Sequence, residues 1–376
     1  MICTALPPSM RRLRIFILGL SITSSWGNGH ATTYRSLVRA LSQRGHDVVF
    51  LEREAPWYRA NRDGVDLPPG SVHLYNGIEE LRARWRRTLA GADLVIIGSY
   101  VPEGIAVAAL VQSMCFGIVA FYDIDTPVTL ASLANGDCSY LNTELIAGFD
   151  LYLSFTGGPA LQLLEQRYGA RAARVLYCSV DPDRHKPAGA EPVWDLGYLG
   201  TYSADRQPAV EELMCRPARL SPQRLFTVAG PLYPGGVSWP DNVERIEHIG
   251  PDRHPWFYSR QRFTLNLTRA DMIRMGYSPS VRLFEAAACG VPIISDWWPG
   301  LETIFVPGKH VLLARSSREV LSYLNEMPES DRRQIASRAR EHVLARHTAA
   351  HRAIALEGYV EELLGDDKAA RLAAAG

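Results

Sequence analysis

Short runs of apolar residues alternate with stretches whose apolar positions recur every three or four residues. Residues 13–20 are apolar and read as a strand; 31–44 have helical spacing through Tyr34, Leu37, Val38 and Leu41; 47–51 are apolar again. The alternation continues with a helix over 79–89, a strand over 93–98, a helix over 104–114 and a strand over 118–122. A strand over 151–155, a helix over 159–168 and a strand over 174–177 follow. Continuous apolar runs of this length, separated by helices, mark strands buried on both faces, as in a parallel sheet.

Residues 181–193 (DPDRHKPAGAEPV) interrupt the rhythm with three prolines, one glycine and five charges, and read as an interdomain linker. Beyond them the pattern restarts, with strands over 195–200, 225–229, 262–267, 292–295 and 311–314 and helices over 204–215, 279–289 and 318–327. The tail from 331 to about 364 reads as one long helical region. The expected fold class is α/β, with two Rossmann-like doubly wound domains facing a cleft. The first spans residues 1–185 and the second 194–345; a C-terminal helix over 346–376 crosses back. Ligands of such sheets bind at the carboxyl ends of the strands. The first ten residues lack periodicity and read as a loose leader.

Composition narrows the function. The 376 residues are 47% hydrophobic and 21% charged with zero formal net charge, the profile of a globular protein rather than of a dedicated nucleic-acid binder. No apolar run reaches the roughly 18 residues of a membrane-spanning helix, and the run over 15–20 is too short for a signal peptide. The six cysteines show neither Cys-x-x-Cys nor zinc-type spacing, so reduced thiols and a cytoplasmic setting are expected. Of the 40 basic residues only Lys186, Lys309 and Lys368 are lysine. Any anion site is therefore built from arginine and backbone amides.

Residues 276–302 (GYSPSVRLFEAAACGVPIISDWWPGLE) hold the strongest chemical signal. Ser278 is placed to cap a helix with Pro279 in its first turn, leaving the amides of Ser280 and Val281 free to meet an anion. Arg282 adds a fixed positive charge, and Glu285, one turn on, offers a carboxylate for ribose hydroxyls. The plain alternative is a surface ion pair between Arg282 and Glu285. Trp297 and Trp298 at the strand exit could stack on a ring or simply pack. Glu302 could touch donor hydroxyls or only complement a helix start.

This segment resembles the donor site of GT-B glycosyltransferases and is closest to the spore-maturation-protein-like branch (glycosyl transferases group 1 type). The resemblance extends to GNGHATTYRSLVRAL, FYDIDTPVTL and LGYLGTYSADRQ, and so covers most of the chain. It implies a nucleotide-sugar donor on the second domain and a carbohydrate or glycoconjugate acceptor on the first, with no cofactor and no nucleic-acid partner. It makes Glu285 the ribose carboxylate and brings the amides near Ser280 and Val281 to the diphosphate. Ser278 stands where many retaining relatives carry a second carboxylate, so the sequence leaves the stereochemical course open. The loop from Gly200 and Thr201 to Arg206 would close over the diphosphate, where Arg206 would stabilise the charge of the leaving group. Arg269 is a second candidate for that work.

In the first half, the loop through Gly29 precedes His30, a candidate base or acceptor ligand. Asp123 and Asp125 form an Asp-x-Asp pair that could suggest a metal site. The preferred reading assigns no metal; Asp125 caps the next helix or serves as catalytic base. His347 and His351, four apart on the last helix, read as surface residues. A nicotinamide dehydrogenase, with Glu52 as its ribose acid, lacks the Gly-x-Gly-x-x-Gly turn. The alternatives retained are a sugar-nucleotide epimerase and a non-catalytic nucleotide-sugar-binding protein.

Overall fold

The computed structural model describes residues 11–63 and 66–374, with side chains through residue 365. The first ten residues, expected as a leader, lie outside the described residues. The chain divides into two compact units. One holds the chain up to Ser24, His30–Tyr177 and the chain from Ala349; the other holds Ser25–Gly29 and Cys178–Thr348.

The first unit is built on a seven-stranded, all-parallel sheet. Its strands are β1 (Arg14–Gly19), β2 (Asp47–Arg53), β3 (Val72–Tyr75), β4 (Leu94–Gly98), β5 (Ile118–Asp123), β6 (Leu151–Ser154) and β7 (Ala173–Val175), in the order β3-β2-β1-β4-β5-β6-β7. Every residue of β4 and β5 is buried, which is why they read as unbroken apolar runs. The edge strand β3 is mostly half-buried and carries no such run. Helices α1 (His30–Gln43), α2 (Gly104–Met114), α3 (Thr126–Asn135) and α4 (Pro159–Tyr168) connect the strands.

The second unit repeats the plan with six parallel strands: β8 (Trp194–Leu199), β9 (Phe226–Ala229), β10 (Val243–Ile246), β11 (Gln261–Asn266), β12 (Ile293–Ser295) and β13 (Leu312–Leu313). Their order is β10-β9-β8-β11-β12-β13. Its helices include α5 (His254–Ser259), α6 (Val281–Ala288), α7 (Ser317–Glu326) and α8 (Glu329–Arg346). Leu196, Phe226, Val228, Phe263, Leu265 and Ile294 make the centre of its core.

The expectation of two doubly wound α/β halves holds. In each sheet the strand order reverses at one point, between β1 and β4 in the first and between β8 and β11 in the second. The connections diverge there and leave a crevice at the carboxyl ends of the strands, the usual ligand position of such sheets.

The segment read as a linker, 181–193, belongs to the second unit, and its His185 is only 2% exposed. The tail is two helices, α8 and α9 (Ala349–Ala374). Helix α8 stops where the His347 carbonyl accepts from the Val180 amide at 3.1 Å and Thr348 bridges Val180, a strand-like pairing that takes the backbone out of the helix. Helix α9 lies against α1 in the first unit. There Glu357 accepts from Arg44 at 2.5 Å and faces His46 Nε2 at 2.8 Å. His347, expected on the surface, lies against the rings of Phe284, at 5.0 Å, and Phe305. No helix among the described residues is long and apolar enough to cross a membrane.

Candidate functional site

At the reversal point of the second sheet, three arginines from different elements share one electrostatic neighbourhood. Arg282, on the first turn of α6, is 8% exposed. Its guanidinium donates to the carbonyls of Leu199, at the end of β8, and of Leu267, just past β11. It also donates to Asn266 Oδ1 at 2.8 Å and Ser280 Oγ at 3.2 Å, and it lies over the Tyr198 ring. These contacts fix the guanidinium across the two strand ends. Gly200, the first residue after β8, must lack a side chain, because a Cβ there would lie 2.6 Å from the Tyr198 hydroxyl and 3.0 Å from Arg282.

Arg206 follows on the same loop. One of its terminal nitrogens donates to the Thr201 carbonyl at 2.6 Å, while its Nε is buried without a partner. Burial pushes this guanidinium below its usual range, and the nearby charges of Arg282 and Arg269 push it the same way. Arg269 also has a buried Nε without a partner. Among the described residues, none of these three arginines forms an ion pair. The nearest acids are committed elsewhere. Asp205 accepts from the Ala270 amide at 2.8 Å, and Asp296 accepts from the amide and hydroxyl of Thr268 at 2.7 and 2.8 Å. Concentrated positive charge with unspent donors is the electrostatic complement of a polyanion.

Helix α6 begins two residues later than the sequence suggested. Its cap is Ser280, whose hydroxyl accepts from the Arg282 amide at 3.2 Å, and not Ser278, which is buried. The reason lies just upstream. Tyr277 adopts a left-handed backbone (φ 51°), held by its amide bond to the Pro299 carbonyl at 2.7 Å, and the chain turns into the helix only after Pro279. The amides of Ser280 and Val281 donate to no described group and remain at the helix start beside Arg282. Trp297 is 43% exposed, Trp298 is wholly buried, and Glu302 is exposed at a short 3-10 turn.

Glu285 points away from this cluster. It is 2% exposed, and its oxygens face His254 Nδ1 at 3.1 Å and His185 Nε2 at 3.5 Å. Burial alone would raise its pKa, yet the two imidazoles hold the carboxyl well below the usual range. The surface ion pair with Arg282 does not form; both carboxylate oxygens face imidazoles. The two histidines were not anticipated; one sat in an apparent linker and the other in a region without a clear pattern.

In the first unit, His30 opens α1 and its Nε2 lies 3.7 Å from Asp125 Oδ2. Tyr100, also missed by the sequence, donates its hydroxyl to the same oxygen at 3.1 Å, and its ring lies 5.4 Å from that of His30. Tyr100 holds a left-handed backbone (φ 64°) just past β4. Asp125 occupies the cap position of α3 but makes no side-chain cap bond; the carboxylate turns toward His30 and Tyr100 instead. Gly29 is exposed, with open space around it.

The carboxylates of Asp123 and Asp125 are directed to different partners. Asp123 is fully buried, accepts from Thr129 and Tyr152 hydroxyls at 2.7 Å each, and takes the Asp125 amide at 3.2 Å. Burial pushes its carboxyl up to about 6. Glu52 is equally committed: it accepts from the Ile22 and Thr23 amides at 2.7 and 2.9 Å and from the Ser21 and Thr23 hydroxyls at 3.0 and 2.7 Å. It clamps the loop after β1 and has no capacity left for a dinucleotide ribose. Cys115, Cys138, Cys178, Cys215 and Cys289 are not in disulfides.

Residues 206–358 match a family model described as glycosyl transferase-like. No curated protein sequence matches the chain. Among solved structures it is similar to sucrose-phosphate synthase from Thermosynechococcus elongatus, at 14% identity and a TM-score of 0.67, covering 94% of this chain and 100% of that one. It is similar to Anabaena HepE in complex with UDP-glucose, at 14% identity and a TM-score of 0.68, with coverage of 94% and 100%. A third is an α-glucosyltransferase in complex with UDP, at 12% identity and a TM-score of 0.70, with coverage of 93% and 100%. Residues 206–358 thus match a glycosyl transferase-like domain, and the chain as a whole has the two-unit fold of these GT-B structures.

Proposed function

We propose that the protein transfers a sugar from a nucleoside-diphosphate sugar to a hydroxyl of a carbohydrate or glycoconjugate acceptor. The observation that carries this reading is the set of three arginines, Arg206, Arg269 and Arg282, without carboxylate partners at the carboxyl ends of β8 and β11. Breaking a sugar–phosphate bond builds negative charge on the departing diphosphate. Fixed guanidinium groups and the free amides at the start of α6 meet that charge without a metal ion at the phosphates. Arg282 is locked by its own hydrogen bonds and acts as a rigid wall. Arg206, with an unspent Nε, is the group that engages the leaving phosphate.

In the first unit, Asp125 is the base for the acceptor hydroxyl. His30 and Tyr100 set its position. Zero net charge favours a sugar acceptor over a nucleic acid. The similar structures solved with UDP and UDP-glucose make uridine diphosphate sugars the first donors to try.

The test is a transfer and hydrolysis assay with a panel of nucleotide sugars. Release of the nucleoside diphosphate with transfer or slow hydrolysis of the sugar is the expected outcome. Tight nucleotide binding with neither would return the reading to a binding protein, and interconversion of the sugar without release would make it an epimerase.

A further inference from the structure

Immediately after β2 the chain displays an indole. Glu54 continues the strand, with its amide donating to the Tyr75 carbonyl at 2.8 Å, and Pro56–Ala60 then forms one short helix in which no residue is buried. Trp57 on that helix is 55% exposed, more than any other tryptophan among the described residues. A single exposed apolar side chain is ordinary. Two further observations set this one apart.

The first is that its support is fixed. The Asp63 amide donates to the Thr23 carbonyl at 3.1 Å, and the Ser24 hydroxyl donates to the Asn61 carbonyl at 2.7 Å. Asn61 in turn donates its side-chain amide to the Trp57 carbonyl at 2.9 Å. Thr23 and Ser24 lie on the chain that leads from β1 to His30. The segment carrying the indole is therefore laced to the stretch that enters His30, at the carboxyl edge of the sheet where ligands bind. A ring held in this way loses little freedom when it meets a ligand.

The second is a carboxylate with only one oxygen in use. Arg62 donates to Glu54 Oε2 at 2.6 Å and to the Thr23 hydroxyl at 3.3 Å, so the acid is oriented. Glu54 Oε1 is buried and has no hydrogen-bond partner among the described residues. A buried acceptor left unpaired costs free energy that a donor from a ligand recovers. Glu54 and Trp57 are three residues apart, within about 11 Å of each other along the chain.

A flat apolar face and a fixed acceptor at that separation match a sugar. One face of a pyranose ring is lined by C–H bonds and packs on an indole, while its rim carries hydroxyl donors. An anion suits the place poorly, because the unspent atom is a carboxylate oxygen and like charges repel.

We propose that Trp57 and Glu54 form a subsite for a pyranose ring of the acceptor, with the ring face on the indole and a ring hydroxyl donating to Glu54 Oε1. The acceptor is then a saccharide rather than a simple alcohol or a peptide hydroxyl. The inference rests on the transfer reading only in assigning this ring to the acceptor; the saccharide subsite stands without it.

The test reads binding before transfer. The full chain is screened on an array of mono- to tetrasaccharides without nucleotide, and the saccharide that binds best is titrated by calorimetry. Trp57→Ala weakens it by about tenfold or more, Trp57→Phe restores most of the loss, and Glu54→Gln weakens it several-fold. Phe116→Ala, which removes an even more exposed ring just before β5 at the amino edge of the same sheet, leaves it unchanged. In the transfer assay Trp57→Ala raises the KM for that saccharide by about tenfold or more and leaves donor hydrolysis by water unchanged. A saccharide that binds through Trp57 without being glycosylated keeps the subsite and removes the transfer reading. Transfer with an acceptor KM indifferent to Trp57→Ala keeps the transfer reading and overturns the subsite. A wild-type chain that binds no saccharide on the array, or a Trp57→Ala chain that changes only its oligomeric state, would overturn it as well.

Discussion

The Nε2 of His30 stands 3.7 Å from Oδ2 of Asp125, and the Tyr100 hydroxyl donates to that same oxygen at 3.1 Å. Asp125 sits at a helix start without using its side chain to cap, and its carboxylate faces His30 and Tyr100 instead. Asp125→Asn should lower the turnover number by about 10²–10⁴, the usual worth of a positioned base, and leave donor affinity unchanged. His30→Gln should cost less, because Tyr100 still holds the carboxylate. Steady-state kinetics with a fixed donor read both. An Asp125→Asn enzyme with normal turnover removes the carboxylate from the reaction.

Arg206 differs from Arg282 in having donors to spare. Arg206→Ala should lower turnover by about 10²–10³, the loss seen when one transition-state donor is removed, with a smaller change in donor affinity. Arg282→Ala should instead destabilise the fold, because it leaves the Leu199 and Leu267 carbonyls and Asn266 without their donor. Comparing kcat with the thermal midpoint of each variant separates the two roles. Equal loss of stability in both would deny Arg206 its catalytic part.

Asp123 sets a pH signature for stability. Burial pushes its carboxyl from 3.8 up to about 6 in the folded chain. The folded state therefore holds the proton that the unfolded state releases between about pH 4 and 6. Stability falls as pH rises through that window, by about 3 kcal/mol in all, and stays at the lower level above it. Asp123→Asn keeps partners for Tyr152 and Thr129 and should flatten this part of the profile. Denaturation midpoints from pH 4 to 8 check it; an unchanged slope in the variant would assign the dependence to other groups.

How much of this was legible in the sequence depended on how local each cause was. The buried strands β4 and β5 announced themselves because every residue in them is covered. The edge strands β3 and β10, with half-exposed side chains, gave no such run. Arg206, Arg269 and Arg282 could be picked out because each stands at a strand exit or helix start, positions that a short motif encodes. The cap of α6 was misplaced by two residues because the left-handed turn at Tyr277 depends on a bond to Pro299, at the far end of the same segment, which only the fold brings near. The surroundings of Glu285 were invisible for the same reason. His185 and His254 come from elsewhere in the chain, and only the fold brings them to one carboxylate.

The claim on which the rest depends is that the start of α6 and its arginines hold a diphosphate. Calorimetric titration of a nucleoside, its monophosphate and its diphosphate, for the base that binds best, tests it most directly. Val281→Pro supplies the companion variant, since proline is tolerated at a first helical position and removes only the amide. The account predicts that the diphosphate binds at least tenfold more tightly than the nucleoside. Val281→Pro combined with Arg206→Ala should erase that advantage while the melting temperature stays near that of wild type. Nucleoside and diphosphate binding equally well to the wild-type chain, or a preference that survives both substitutions, would contradict it.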